Sequence, residues 1–449
     1  MIAAPTRGDE IRVGDDRADD SLAGAGGVVA SLSLEAAYLE RDVYAVANPG
    51  IGYLSRGFEL RLTLPIEALA IDLPPPSRER ALWGVLRART YLEDGALGLP
   101  LLSKLLARLR VGQPEDLFHL RGGMIHHSLG HGSVVWRYAS TPDIDRRQTG
   151  AVLRLGTDLV GVEALVGNVL APQRVSGARA YLRPILLFAR GPGMLLELGQ
   201  RLALGLGYAA DWTAPLDPGS IADDGSYDPE GETASLVHIF ADTEMILIDW
   251  APLSAALYGD AGVRAGPARR LGAGAEVGLL SSARLWSTTL SLRAGLRLAG
   301  RDYRPGEFDA YYAVERVSTF GAGVPKASVR PSAGVGGVVE AGLSLSRWLQ
   351  LRAQLDDAPG RDNSNAQLRC DLSAGPVRAA AAVAQRGFEG HAGLLSLGAR
   401  TVGLAELRVE TIGPIALVGR YWRTLRREAG RQRLDDDVLI GIEVGWLLQ

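Results

Sequence analysis

Strict two-residue alternation of apolar and polar side chains runs through long segments of this chain. Between Met194 and Trp212 the even positions are almost all apolar, whereas the odd positions are mostly Gly, Ala or charged. Segments 286–298, 343–355 and 438–448 show the same pattern. A period of two places successive side chains on opposite faces of a β-strand. Segments of this length exceed an ordinary strand of about five or six residues, so they predict tilted spans of a bilayer.

Composition favours such strands over membrane helices. Hydrophobic residues make up 47% of the chain and the mean hydropathy is +0.06. No segment approaches the roughly 18 consecutive apolar residues that a membrane helix needs, whereas alternating strands average to near-neutral hydropathy. The 56 glycines suit turns and small inward positions and disfavour long helices.

The predicted fold is all-β: a single antiparallel transmembrane β-barrel of about 16–18 strands over residues 28–449. Soluble β-sandwiches also alternate, but their strands are shorter. Residues 1–27, rich in Asp, Gly and Arg, are predicted to form a flexible N-terminal arm. A short amphipathic helix is predicted near 100–110, because apolar residues recur there at helical spacing. We expect it to cap or plug the barrel.

Two kinds of connection separate the predicted strands. Gly191–Gly193 and Gly259–Gly262 are predicted to be short periplasmic turns. The long polar connections are Asp217–Glu232, Gly300–Phe308, Asp356–Asn365 and Thr424–Asp437. Alternation of short and long connections is typical of outer-membrane barrels, whose long loops face outward.

Charge and cysteine content argue against a nucleic-acid-binding protein and against a protein held by disulfides or a multi-cysteine metal site. The net charge of −3 offers no basic field for nucleic acid. Cys370 is the single cysteine, so neither a disulfide within the chain nor a multi-cysteine metal site can form. The first ten residues contain neither a basic n-region nor an apolar h-region, so a secretory signal is absent as written. This counts against an outer-membrane barrel unless the sequence is a mature or trimmed form carrying an added Met.

The last segment, VLIGIEVGWLL (438–448), resembles the terminal strand that the barrel-assembly machinery reads in porin-type outer-membrane β-barrels of Gram-negative bacteria. It departs from that pattern by ending in Gln449, with Trp446 three residues in. The resemblance is one of architecture over residues 31–449. It implies location in the bacterial outer membrane, lipids as partners and a lumen through which small polar solutes pass.

Charged residues on the polar faces of the stripes are predicted to line the lumen. They are Glu59, Arg61, Arg154, Asp158, Glu197, Arg201, Arg293, Arg297, Arg352 and Glu443. Opposed rows of arginine and carboxylate set a transverse field that selects polar solutes. The alternative is a plugged interior in which the same charges form ion pairs.

Aromatic residues near the ends of the apolar stripes are predicted to lie at the membrane interfaces. They are Tyr208, Trp212, Trp250, Trp286, Trp348, Trp422 and Trp446. Trp and Tyr favour the headgroup level, where an amphipathic ring suits both environments. Trp348 fits least well, since its parity groups it with polar residues.

The cluster of histidines from His119 to His131 has no clear role in the sequence. His126 and His127 would point to opposite faces of a strand and could not share one ion. His126 and Ser128 would share a face, the minimum for a lipid hydrolase, but the segment supplies no orienting acid. We therefore expect neither an enzyme, nor a metal site, nor a cofactor. The acidic loop near Asp223 is expected to be solvated, since it lacks EF-hand spacing.

Passive diffusion of small polar solutes is the primary functional prediction. A non-conducting barrel that scaffolds an envelope complex is the alternative, and the lipid hydrolase is a third. Expected partners are outer-membrane lipids and small polar solutes, without nucleic acid. The sequence leaves open the solute and the choice between a homo-oligomer and envelope partner proteins.

Overall fold

The computed structural model describes most of residues 26–448. Outside the described residues lie 1–25, 40–41, 65, 72–82, 85–104, 141–147, 189–192, 218–219, 222–226, 229–231, 318, 321–322, 347, 361–362, 389–399, 429–430 and 449. Residues 1–25 of the predicted N-terminal arm and Asp223 therefore lie outside them, whereas Gly27 begins the first strand.

Twenty antiparallel strands form the barrel wall. They are β1 (Gly27–Leu39), β2 (Asp42–Leu54), β3 (Phe58–Thr63), β4 (Leu106–Val111), β5 (Phe118–Gly123), β6 (Gly150–Gly156), β7 (Val160–Val166), β8 (Ser176–Leu182), β9 (Leu202–Pro215), β10 (Thr233–Trp250), β11 (Leu253–Gly266), β12 (Arg270–Leu285), β13 (Thr288–Ala299), β14 (Gly334–Leu345), β15 (Leu349–Asp357), β16 (Ser364–Ala374), β17 (Val377–Phe388), β18 (Thr401–Glu410), β19 (Ile415–Glu428) and β20 (Arg431–Leu448).

The sheet closes on itself. Consecutive strands of the ring pair with one another, and β20 returns to β1 from Val28↔Leu448 to Tyr38↔Val438. Closure leaves no open edge in the ring, which is the condition for strands to stand in lipid. After β3, the strand Ile66–Ile71 also pairs with β2. The short strand Trp83–Gly84 pairs with Ile66–Ile71. The all-β barrel prediction is confirmed, with twenty strands in place of about 16–18, because segments as short as β4 and β5 show little alternation.

The two rims of the barrel differ. The short-turn rim carries 55–57, 112–117, 157–159, 251–252, 286–287, 346–348, 375–376 and 411–414, together with the segment 183–201. The opposite, long-loop rim carries the connections 124–149, 216–232 and 300–333 among others. Three of the predicted long connections lie at the long-loop rim, whereas Thr424–Asp437 is mostly strand in the β19–β20 hairpin.

The outer face of the wall is apolar. Leu206, Val277, Leu296 and Ile440 are 54–66% exposed on different strands. Their neighbours of opposite parity, which face the lumen, are mostly glycine or charged, as with Glu276 beside Val277. Large exposed apolar side chains in a continuous band require an apolar surrounding such as lipid.

Among the described residues, no helix is long and apolar enough to cross a bilayer.

Helix placement corrects two predictions. Residues 106–111 of the predicted helix near 100–110 form β4, because their backbone pairs with β3 and β5. Conversely, the first part of the stripe from Met194 forms helix α1 (Met194–Arg201) at the short-turn rim. Glu197 in its first turn and Arg201 in its last complement the helix dipole.

Gly259–Gly262 is a third correction, because it lies within β11 and pairs with both neighbouring strands. A glycine at each end imitates a turn, but the register of β10 and β12 continues through it without a break. This places Asp260 on the lumen face. The further short elements are a 3-10 turn at Pro184–Leu187, another at Pro267–Arg269, helix α2 (Tyr312–Glu315), and a 3-10 turn at Lys326–Ser328.

Two connections from the long-loop rim fold into the barrel. The first lumen loop is defined here as 124–149 and the second as 300–333. Each contains short strands, and Val135–Trp136 of the first pairs in parallel with Phe308–Asp309 of the second. Within the first, His126–His127 pairs with Tyr138–Ala139. Ser220–Ile221 and Tyr227–Asp228 form a separate small ladder in the connection 216–232.

Candidate functional site: the lumen and its two loops

The first lumen loop is held against one side of the wall by apolar contact. Its buried side chains Ile125, Leu129, Val135 and Tyr138 belong to a cluster that the barrel contributes to from β6, β7, β9 and β10. The second lumen loop adds Phe308 and Tyr312 to that cluster. Burial of a large apolar side chain contributes about 1.5–3 kcal/mol. The loops are therefore part of the folded core inside the barrel.

His131 connects the first lumen loop to two carboxylates of the wall. Its Nδ1 lies 3.0 Å from Asp260 Oδ1, and its Nε2 lies 3.1 Å from Glu244 Oε2. The imidazole ring also stacks on Tyr258, with centroids 4.9 Å apart. Asp242, beside Asp260 on the next strand, is bonded by the Arg179 guanidinium at 2.6 and 2.7 Å.

The group His131, Asp242 and Asp260 has ligand atoms within 4.8 Å of one another, close enough to hold a metal ion. In this arrangement both imidazole nitrogens face carboxylates and both Asp242 oxygens accept bonds from Arg179. A metal would have to displace these contacts. The sequence missed Asp260 because the flanking glycines imitated a turn.

Arg293 and Arg297 on β13 belong to a buried ion network. Arg293 Nη2 donates to Glu276 Oε1 at 2.7 Å, and Arg297 Nε donates to Glu276 Oε2 at 2.7 Å. Arg297 also bonds Asp356 of β15. Both guanidinium groups lie over the indole of Trp136 from the first lumen loop, at 4.9 and 5.6 Å. In this part of the wall the inward charges pair with one another, as the alternative of a plugged interior predicts.

The second lumen loop is anchored by ion pairs at two places. Arg316 Nε bonds Asp211 of β9 at 2.6 Å, and the Tyr312 hydroxyl donates to the same carboxylate at 2.9 Å. Glu315 Oε2 lies 2.8 Å from Lys326 Nζ and 2.9 Å from Arg386 Nη2. Burial alone would raise the pKa of Glu315, but Arg386 and Lys326 outweigh it and lower that pKa to about 2.

Charged side chains elsewhere on the lumen face keep contact with solvent. We define the charged wall as the inward-facing Arg61, Arg108, Arg352, Asp371, Arg408, Arg420 and Glu443, on β3, β4, β15, β16 and β18–β20. Their side chains are 19–27% exposed although they lie inside a closed barrel. Such exposure requires open space beside them, in contrast to Arg297, which is completely buried.

Arginines gather around one carboxylate at the β3–β4 end of the charged wall. Glu59 lies 3.2 Å from Arg61, 3.1 Å from Arg108 and 3.5 Å from Arg110. Elsewhere on this wall Arg420 lies 3.0 Å from Glu406 and 3.8 Å from Glu35, and Arg408 bonds Glu443. The contacts with Glu59 therefore bring three arginines together at one depth of the lumen.

Seven of the ten predicted lumen residues face the lumen. These are Glu59, Arg61, Arg154, Arg293, Arg297, Arg352 and Glu443. The other three do not, because each lies in a segment that was predicted to be strand but is a turn or a helix. Asp158 is exposed in the turn between β6 and β7, and Glu197 and Arg201 are exposed on α1.

Six of the seven predicted interface aromatics have rings on the outside. Trp250, Trp286, Trp348 and Trp446 lie at the short-turn rim, with Trp286 97% exposed. Tyr208 and Trp212 lie further along β9 and are 40% and 46% exposed. Trp422 is a correction: it faces inward and is buried with Tyr44 and Leu439, while Tyr421 beside it faces outward. Whether an aromatic side chain faces lipid or the lumen is decided by its place in the two-residue alternation and not by its distance from the end of the apolar stripe.

The histidines near the first lumen loop have separate surroundings. Ser128 Oγ accepts a hydrogen bond from the backbone N–H of Arg137 at 2.7 Å. His126 Nδ1 is buried and has no hydrogen-bond partner among the described residues. His119 lies on β5, paired with Arg154 of β6 in the strand register. No described contact joins His126 to Ser128.

Comparisons with known proteins find likeness of fold alone. No family model and no curated protein matches the chain. The outer-membrane protein opdK from Pseudomonas aeruginosa is similar at 10% identity and a TM-score of 0.37, with 94% of this chain and 99% of that chain covered. Wzi from Escherichia coli is similar at 10% identity and a TM-score of 0.38, with 96% and 87% covered. CdiB from Acinetobacter baumannii gives 9% identity and a TM-score of 0.30; this chain spans 60% of its length.

The closed ring, its apolar exterior and its charged interior define a transmembrane β-barrel. This is the architecture that the resemblance of the sequence to porin-type outer-membrane barrels implies, and the location in the bacterial outer membrane stays a prediction of that resemblance.

Proposed function

We propose that this barrel is a passive diffusion channel for small polar solutes. The observation that carries the proposal is the partial exposure of the charged wall, at 19–27% per side chain, inside a closed barrel. The lumen loops pack against β6–β13 and also, at the long-loop end, against β17 and β18, so the proposed passage runs along the remaining side of the lumen, beside the charged wall. A passage bounded by paired charges admits hydrated polar solutes and disfavours apolar ones.

The arrangement near Glu59 supports a preference for anions at that depth. Three arginines lie within 3.5 Å of this one carboxylate, so basic side chains are concentrated there. Selectivity among solutes is therefore attributed to the inward arginines and carboxylates, with Arg108 as the residue to test.

Planar-bilayer recording tests this function directly. Purified protein is expected to give discrete conductance steps, and a KCl gradient is expected to give a reversal potential that indicates chloride preference. Arg108→Gln should lower the chloride-to-potassium permeability ratio by about twofold or more. Arg201→Gln, at an exposed arginine of helix α1 that does not face the lumen, is the matched control and should leave the ratio unchanged. Protein that inserts but gives no steps would contradict the channel.

A non-conducting scaffold barrel is the second candidate. The apolar cluster around Leu129 and Tyr138 and the buried network around Glu276 favour it, because they fill part of the lumen permanently. It predicts a silent bilayer together with partner proteins that co-purify after mild crosslinking. A conducting protein without stable partners would exclude it.

A further inference from the structure

The tip of the first lumen loop places one imidazole against the wall. His131 lies between Gly130 and Gly132, whose φ values of +59° and +82° favour glycine. A Cβ on Gly130 would lie 3.2 Å from Asp242 Oδ2, so the loop backbone approaches the wall where a side chain has little room. The His131 side chain is thereby completely buried among inward carboxylates of β10 and β11.

Asp260 is the carboxylate of this group that has no arginine beside it. Its side chain is 3% exposed, and its ion pair among the described residues is with His131. Asp260 Oδ2 is buried and has no hydrogen-bond partner in the described part of the chain. Asp242, its neighbour across the two strands, is bonded through both oxygens by Arg179. A buried carboxylate oxygen without a donor is costly unless a cation lies beside it.

We propose that His131, Asp242 and Asp260 bind a divalent transition-metal ion of the Zn²⁺ type. One ligand atom from each residue lies within 4.8 Å of the other two. In a tetrahedral Zn²⁺ site, ligand atoms are about 3.3–3.5 Å apart, so the His131 Nδ1–Asp260 Oδ1 distance of 3.0 Å has to widen only slightly. One imidazole and two carboxylates leave a fourth position for water. Mg²⁺ and Ca²⁺ fit less well, because they prefer sets made of oxygen alone.

The contacts around the three ligands resemble the outer ring of a metal site. A metal-bound histidine usually donates its other ring N–H to a carboxylate, and His131 Nε2 lies 3.1 Å from Glu244 Oε2. Each carboxylate oxygen has two acceptor positions, so Asp242 can share its oxygens between Arg179 and an ion. The contact that the ion replaces outright is the one between His131 Nδ1 and Asp260.

The ligands come from two parts of the fold. Asp242 and Asp260 belong to the wall, whereas His131 belongs to the first lumen loop, so the complete set exists only while the loop is docked. Binding free energy therefore adds to the stability of the docked loop. The metal site is a property beyond the proposed channel function, because it concerns ion binding and loop docking and does not require conduction.

Titration calorimetry tests the site on full-length protein in detergent, freed of metal with EDTA and then dialysed. ZnCl₂ is expected to bind at one ion per chain, with MgCl₂ and CaCl₂ at least about tenfold weaker. His131→Gln and Asp260→Asn, made separately, should each weaken Zn²⁺ binding by about tenfold or more, since each removes one ligand. Heat-dependent gel mobility reports whether each variant is a closed barrel.

His119→Gln is the matched control, because His119 is another buried histidine and lies on β5, outside the proposed ligand set. It should bind Zn²⁺ as the unmodified protein does. Either ligand variant, if folded and binding Zn²⁺ as tightly as the unmodified protein, would overturn the assignment.

Proteolysis gives a second readout that does not depend on a variant being folded. Zn²⁺ should slow cleavage of the first lumen loop of the unmodified protein by proteinase K severalfold at pH 7.5, because the ion joins the loop to the wall. Cleavage at the same rate with and without Zn²⁺ would also overturn the assignment. Neither readout involves conductance, so a silent bilayer would contradict the channel and leave the metal site standing.

Discussion

Gly112, in the turn between β4 and β5, shows how one residue limits the wall. Its φ is +79°, and an added Cβ would overlap the carbonyl oxygen of Phe118. Gly112→Ala is expected to lower the free energy of unfolding by about 1–3 kcal/mol. Urea unfolding in detergent micelles, followed by tryptophan fluorescence, measures the change.

Gly375 provides the control for this prediction. Its φ is +58°, but no atom lies within 4 Å of an added Cβ. Gly375→Ala should therefore cost only about 1 kcal/mol, from backbone strain alone. Equal effects of the two substitutions would show that the contact with Phe118 does not limit the turn.

His126 and His127 make the first lumen loop sensitive to acid. Burial first, and then the nearby Arg121, lower the pKa of His126 to about 4 and that of His127 to about 3. A histidine pKa lowered in the folded state stabilises the docked loop above about pH 6.5, and this stability is lost as the pH falls toward 4. We expect proteinase K to cleave the loop faster at pH 4.5 than at pH 7.5.

The double variant His126→Asn, His127→Asn tests the cause of that sensitivity. It removes the two imidazoles at 126 and 127, so the ratio of cleavage rates at the two pH values should fall toward that of the rest of the chain. The other charges facing these rings are Arg154 and His119 for His127, and Arg369 and Arg137 for His126. A variant with the original pH ratio would assign the effect to other titrating groups.

Single residues also show where sequence prediction stops. The alternation placed Arg293 and Arg297 on the lumen face, because parity within a long strand is a local property. It did not show that Glu276 and Asp356 would bind them, since those carboxylates come from other strands. Trp422 was misplaced because its surroundings are set by pairing of β19 with β18 and β20.

Among the elements, the lumen loops decide how wide the passage is. They are joined by the pairing of Val135–Trp136 with Phe308–Asp309 and do not contribute to ring closure. Replacing residues 126–138 by a short Gly-Ser linker is expected to leave a folded barrel and to raise the single-channel conductance severalfold. Planar-bilayer recording measures the change.

The connection 216–232 is the matched element for that experiment, since it also belongs to the long-loop rim. Shortening it within 222–230 should change conductance little. If removal of 126–138 left the conductance of a folded barrel unchanged, the first lumen loop would not define the passage.

Elements also show the limits of periodicity. Part of the predicted helix near 100–110 is a strand, and part of the strand predicted from Met194 is helix α1. Short apolar-rich segments fit periods of both two and 3.6, so the pattern alone does not separate helix from strand. In β4 the backbone bonds to β3 and β5 decide the outcome. In α1 the segment lies outside the wall, where no neighbouring strand pairs with it, and Gly199 allows close contact with Leu186.

For the whole molecule, the position in the bilayer is testable through its tryptophans. Trp250, Trp286, Trp348 and Trp446 lie at the short-turn rim with exposed rings, whereas Trp136 and Trp422 are buried inside. A protein retaining only Trp286 should be quenched strongly by lipids brominated near the headgroup. A protein retaining only Trp136 should be quenched weakly. Equal quenching of both would contradict the membrane position assigned to this rim.

The sequence by itself determined the strand period, the apolar outer face and the barrel class, because alternation is local and lipid accepts one face only. It also placed most long connections. Only the tertiary structure decided the number of strands, the inward folding of the two lumen loops and the partners of each buried charge. These depend on contacts such as His131 with Asp260 and Arg316 with Asp211, which join residues more than 100 positions apart. Such contacts form only when the ring has closed around the loops, and no local pattern encodes them.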